Sequence, residues 1–220
     1  MAGLDGPRFG PLAGGAPRQL VVVLHGLGAD GADLIGLAPN WAAAVPHAAF
    51  VAPDAPAPCD MAPYGRQWFS LQDRSTARIE AEVRAVAPVL DAFLDAELAR
   101  LGLPDSAMAL AGFSQGCMMT LFTGLRRRVA PAALLGYSGA LLGGERLAEE
   151  ITVRPPVLLV HGEADDIVPV TAGRMAEQAL RAAGVPVEAL YRPGLAHGID
   201  EVGLAAGAAA LARGFGVTAG

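Results

Sequence analysis

Cysteine is scarce in this chain. There are two among 220 residues, Cys59 and Cys117, with no CxxC between them. A disulfide scaffold is therefore excluded, and no other ligand types cluster at zinc-site spacing. Charge is also sparse, at 17%, and its balance is −6. An acidic chain offers no footprint for a phosphate backbone, so nucleic acid is not an expected partner. The one dense basic run, Arg126-Arg127-Arg128, reads as the polar C-terminal end of a helix, where cations complement the dipole. No basic start precedes an apolar segment, and no apolar run reaches transmembrane length. No repeat, low-complexity linker or shift in composition divides the sequence. The Gly-rich segment near residue 26 has neither G-x-G-x-x-G nor GK[ST], which argues against a nucleotide cradle. A reduced, cytoplasmic setting is the expectation.

What the chain does have is apolar mass. Hydrophobic residues make up 53% of it, and Gly alone numbers 28. That fills the core of one domain over residues 1–220 and suits tight helix-on-sheet packing. Short apolar runs alternate with longer helical windows. This pattern predicts an α/β fold with a mainly parallel central sheet and helices on both faces. Strands are expected at Gln19–Leu24, Ala48–Ala52, Ala107–Ala111, Ala132–Tyr137, Val157–Val160 and Val187–Tyr191. Pro7–Leu12 is a candidate antiparallel edge. Helices are expected over Ala32–Ala44, Thr76–Leu101, Gln115–Arg127, Thr171–Ala183 and Glu201–Arg213. Pro88 predicts a kink or break near Ala87. Asp200 suits an N-cap, and Gly184 a left-handed helix end. The stretch Ala55–Asp73 breaks the alternation. It reads as a long loop forming the wall or lid of a pocket.

Three reactive segments each follow a predicted strand, and strand ends are where open parallel sheets bind ligands. Gly112-Phe113-Ser114-Gln115-Gly116 is a G-x-S-x-G between a strand and a helix. A serine on such a sharp turn is lifted clear of the sheet edge, which makes Ser114 the candidate nucleophile. A serine hydroxyl needs a base held by a carboxylate. The loop after Val157–Val160 supplies Glu163, Asp165 and Asp166, of which a short Asp on a tight loop is the better fixed. With chain order Ser, acid, His, only His197 of the four histidines follows that loop. His25 and His161 read as structural, and Cys117 as a buried small hydrophobe. The segment His25-Gly26-Leu27-Gly28 follows the first long strand. Backbone N–H groups of Leu27 and Gln115 are the candidate oxyanion donors.

Five pieces, LHGLGAD, RQWFSL, GFSQG, HGEADDIVP and GLAHGI, resemble the phospholipase/carboxylesterase branch of the α/β-hydrolases, which includes acyl-protein thioesterases. They stand in the family's order and span nearly the whole chain. The resemblance implies the α/β-hydrolase fold and a serine carboxylesterase acting on a small acyl ester, thioester or lysophospholipid. It places the acid on Asp165 through the pattern H-G-x-x-D-x-x-V-P, with Ser114 and His197 completing the triad. It also implies Leu27 and Gln115 at the oxyanion, and Trp68 and Ile167 against the acyl group. The chain departs from the family with Glu163 where Asp is common and a second Asp at 166. No metal or other cofactor is implied, and relatives often pair as homodimers. A peptidase, a dienelactone-type hydrolase and a non-catalytic binding protein remain alternatives, since fold alone does not fix function.

Overall fold

A computed structural model describes residues 3–217. In chain order the elements are β1 (Arg8–Phe9), β2 (Gln19–Leu24), α1 (Gly31–Ile35), α2 (Ala38–Ala42), β3 (Ala48–Val51), β4 (Ala57–Pro58), β5 (Arg66–Gln67) and α3 (Thr76–Leu101). There follow β6 (Met108–Phe113), α4 (Gln115–Gly124), β7 (Ala133–Tyr137), α5 (Leu147–Glu150), β8 (Val157–Gly162), α6 (Val170–Ala182), β9 (Val187–Arg192) and α7 (Glu201–Gly214). The large sheet runs β1-β3-β2-β6-β7-β8-β9. Every pairing in it is parallel except β1 with β3. The expected α/β architecture is therefore present, with its antiparallel edge at the N-terminal end.

The apolar run QLVVVL explains why both faces of this sheet are covered. Successive side chains of a strand point to opposite faces. Leu20, Val22 and Leu24 enter a core shared with Leu90 and Leu94 of α3, Leu121 of α4 and Leu180 of α6. Val21 and Val23 enter a second core with Trp41 of α2 and Leu211 of α7. Small residues bring α7 close. A Cβ on Gly207 would lie 3.1 Å from the Trp41 indole nitrogen. That indole donates to the Leu204 carbonyl at 3.1 Å and stacks on Tyr137 with centroids 6.2 Å apart.

Three expected elements differ. The window 32–44 is two short helices, because Pro39 has no N–H to continue the first and instead sits in the opening turn of the second. Asp30 and Asp33 start the first helix with a reciprocal capping box. Conversely, α3 runs unbroken through Pro88. Buried Val83, Val86, Leu90, Phe93 and Leu94 flank the proline, and their packing outweighs one missing backbone bond. It ends at Gly102, whose φ of 67° is the left-handed cap conformation. The segment 55–73 is not plain loop, since β4 and β5 pair antiparallel within it.

The arginine triplet is also corrected. Helix α4 stops at Gly124, so the triplet lies beyond it. Arg127 is buried, and its guanidinium reaches Asp91 at 2.7 Å, Asp95 at 2.8 Å and Asp105. Arg126 lies over the Phe122 ring at 3.9 Å and pairs with Glu150 at 2.6 Å. These are internal ties between α3, α4 and α5. Among the described residues no helix is long and apolar enough to cross a membrane.

Replacing Arg127 by Met should strand three carboxylates around one buried position. The partners reach water, which moderates the cost to on the order of 2 kcal/mol. Urea unfolding should show a lower midpoint at unchanged slope.

Candidate active site

The site grows from one backbone conformation. Ser114 joins β6 directly to α4 with φ 54° and ψ −115°, a region that side-chain-bearing residues rarely occupy. Only Ser138 shares a positive φ among the described non-glycine residues. The Ser114 turn is held by crowding. A Cβ on Gly112 would run into the Gly116 carbonyl, and one on Gly116 would run into the Leu24 carbonyl. Both glycines of the G-x-S-x-G are thus needed for α4 to start so close to β2 and β6. The N–H of Ser114 donates to the Tyr137 carbonyl at 2.9 Å, fixing the turn against β7.

His197 lies in the loop between β9 and α7. Its Nδ1 is 2.8 Å from Asp165 Oδ2, and its ring packs on Phe113 with centroids 4.7 Å apart. The imidazole is therefore seated beside the residue that precedes Ser114, with Nε2 as its remaining nitrogen. Asp165 has a fully buried side chain. Its Oδ1 accepts from the Ile167 and Val168 amides at 3.0 and 2.9 Å. Burial alone would raise the Asp165 pKa. The His197 contact and the two amides outweigh it and hold the carboxyl below its usual 3.8. Asp166 is exposed, and Glu163 pairs with Arg174 at 2.9 Å on the surface. Of the three carboxylates in this loop, Asp165 is the one hydrogen-bonded to His197.

His161 supports this loop from below. Its Nε2 lies 2.8 Å from the Val168 carbonyl and 3.4 Å from Asp165 Oδ2. His25 is fully buried at the end of β2. Its Nε2 accepts from the Ala55 amide at 2.9 Å, so the ring proton sits on Nδ1 and donates to the Gly26 carbonyl at 2.7 Å. Burial lowers its pKa from the usual 6.5, against the opposing pull of the Gly26 carbonyl. Both rings take the structural places expected of them. Cys117 is buried, and burial pushes its thiol up to about 12, far from thiolate chemistry.

The candidate oxyanion donors follow from what their neighbours do. Residues 26–29 form a tight turn, with Ala29 N–H to the Gly26 carbonyl at 3.3 Å and Gly28 at φ 79°. Gly28 N–H is taken by the Arg66 carbonyl at 2.9 Å. Among the described residues the Leu27 N–H meets no backbone carbonyl. Gln115 is the first residue of α4, where a backbone N–H has no partner within the helix. Gly26 packs against Ser114, since a Cβ there would lie 3.2 Å from Ser114 Cβ.

Trp68 is placed differently from the expectation that it faces an acyl group. Trp68 is only 2% exposed, and its indole N–H donates to the His25 carbonyl at 2.9 Å. It is a strut in the core with almost no surface for a ligand. Ile167 is 67% exposed beside Asp165. A groove lined by Leu141 and Leu142 after β7 and by Ala172, Met175 and Ala176 of α6, with Glu80, Glu145 and Arg146 also in its wall, has none of Ser114, Asp165 and His197 among its lining residues. Its volume is about 460 Å³. Sequence reasoning missed this groove: its residues are ordinary helix and loop apolars with no signature. Among the described residues no three His, Cys, Asp or Glu side chains are arranged to hold a metal.

The sequence model of the phospholipase/carboxylesterase family matches residues 13–212. The chain belongs to this family. Acyl-protein thioesterase 1 of Schizosaccharomyces pombe is 33% identical over 166 residues, covering 70% of this chain and 71% of the yeast protein. Esterase YpfH of Escherichia coli is 29% identical over 183 residues, covering 83% and 77%. Among solved structures, esterase PE8 is 40% identical with a TM-score of 0.90, covering 94% of this chain and 97% of that one. Family membership accounts for the α/β-hydrolase fold and makes the chain a hydrolase of the esterase class.

Two outcomes test the geometry. Asn in place of Asp165 would turn an amide N–H toward His197 Nδ1 and reverse the tautomer. Steady-state kinetics should then show kcat lower by on the order of 10³ to 10⁴ with little change in KM. For His25, the folded protein favours the neutral ring, so protons bind the unfolded chain first as pH falls below about 6.5. In an NMR titration its ring should protonate below that value, and its contribution to stability should be lost on acidification, not on alkalinisation.

Proposed function

We propose that this protein is a serine carboxylesterase that works through an acyl-serine intermediate. The reading rests most on one observation: a serine at φ 54° on a strand-to-helix turn, with a histidine that is bonded to a buried aspartate at 2.8 Å packed on the preceding Phe113. In this reading His197 Nε2 takes the Ser114 proton as Oγ attacks the acyl carbonyl. Asp165 holds the tautomer and favours the imidazolium. The oxyanion is received by the Leu27 and Gln115 amides, each worth roughly 10² to 10³ in rate. Collapse expels the alcohol or thiol, which takes its proton from His197. Water then attacks the acyl carbonyl and gives a proton to His197, which passes it to Ser114 Oγ as the acyl–oxygen bond breaks and the acid leaves. Residues 1–220 act as one domain.

A thioester substrate is the second reading, favoured by the 33% identity to a protein named acyl-protein thioesterase 1. The same residues serve either leaving group.

The test is hydrolysis of a chain-length series of p-nitrophenyl and thiocholine acyl esters, wild type beside Ser114→Ala. Turnover should peak at one chain length and vanish in the variant, and fluorophosphonate should label the wild type alone. Full turnover in Ser114→Ala, or absence of both turnover and label in the wild type, would remove the assignment.

A further inference from the structure

The two candidate oxyanion donors come from segments 88 residues apart. Residues 26–29 form a glycine-bearing turn, and Gln115 follows a strained serine. The segment 55–69 bridges them. The Gln115 side chain meets it twice: Oε1 accepts from the Trp68 amide at 2.8 Å, and Nε2 donates to the Phe69 carbonyl at 2.7 Å. The Trp68 indole donates to the His25 carbonyl at 2.9 Å. The His25 ring accepts from the Ala55 amide at 2.9 Å. Arg66 closes the circuit, with its amide on the Ala29 carbonyl at 2.8 Å and its Nε on the Ala55 carbonyl at 2.6 Å. Gln115, Trp68 and His25 are all buried, so these bonds form in a low-dielectric interior where each broken partner is costly.

We infer that the Gln115 side chain, Trp68 and His25 form a brace through segment 55–69 that sets the spacing of the Leu27 and Gln115 amides. They are positioning residues: none need touch the substrate. The inference rests on the esterase reading above. Gln115 then has two separable roles. Its backbone N–H points toward the reacting centre, and its side chain holds the loop that locates the other donor. The indole of Trp68 contributes a hydrogen bond to the peptide carbonyl of His25, two residues before the Leu27 donor. The crowding at Gly65 is consistent with the same close approach, since a Cβ there would run into the Gly28 backbone.

A brace of this kind acts on the transition state more than on the ground state. A donor displaced by a fraction of an ångström still lets substrate bind but stabilises the oxyanion less. The test uses Trp68→Phe, which deletes the indole N–H and keeps most of the ring, and Gln115→Met, which deletes both side-chain bonds and keeps the backbone donor. Each variant is measured for kcat, KM, inhibition by an alkyl boronic acid that mimics the tetrahedral oxyanion, and melting temperature. The expected result is a loss in kcat of roughly 10- to 100-fold, KM within about twofold, and a matching rise in the boronate inhibition constant. Where Gln115→Met melts too low to assay, Trp68→Phe decides. A folded Trp68→Phe with kcat within about twofold of wild type overturns the brace. So does a loss that falls on KM while boronate affinity holds. The esterase reading is judged separately by wild-type turnover and Ser114→Ala. Wild-type turnover with unaffected brace variants overturns the brace alone, and absent wild-type turnover overturns both.

Discussion

Everything at the reactive edge depends on how near α4 begins to the sheet. Ser114 stands at a positive φ because it is the single residue between β6 and α4. That junction is possible only where Gly112 faces the Gly116 carbonyl and Gly116 faces the Leu24 carbonyl with no Cβ between. Strain at one residue is thus sustained by close backbone contacts across β2, β6 and α4. The same approach brings the start of α4 beside the turn at Gly26, where a Cβ would lie 3.2 Å from Ser114 Cβ.

Around that junction the polar groups are arranged by successive support. His197 is held by Asp165, Asp165 by two amides of its own loop, and the loop by His161 through the Val168 carbonyl. On the other side the turn at 26–29 is held by His25, Trp68 and Arg66. The buried side chains named in these two series are hydrogen-bonded, as burial in a low dielectric demands. The family's reaction class is compatible with this arrangement, because acyl transfer requires a fixed base and fixed donors more than a mobile scaffold.

Much of the fold was legible because its signals are local. The run QLVVVL is apolar at every position after Gln19, which only a strand covered on both faces needs. The Asp200 cap and the left-handed Gly184 also depend on a few neighbouring residues. The errors came where distant packing overrode a local rule. Pro88 should interrupt a helix, yet buried side chains before and after it carry α3 through. Pro39 did divide a helix, because it has no N–H to continue α1 and sits in the opening turn of α2. Arg127 looked like a solvated helix end, but carboxylates 22 to 36 residues away converge on it.

By itself the sequence determined the reactive residue types and their order: a serine on a strand-to-helix turn, an acidic loop, and one histidine after it. Turn chemistry and strand patterning are encoded in neighbours, so they can be read in one dimension. Only the tertiary structure decided which carboxylate of Glu163, Asp165 and Asp166 meets His197, since all three lie within four residues and side-chain direction separates them. It also turned Trp68 from a presumed pocket wall into a buried strut, and gave the Gln115 side chain a partner 46 residues away. Those outcomes depend on which segments share the sheet's edge, and the hydrogen bonds that fix them join residues with no local relation in the chain.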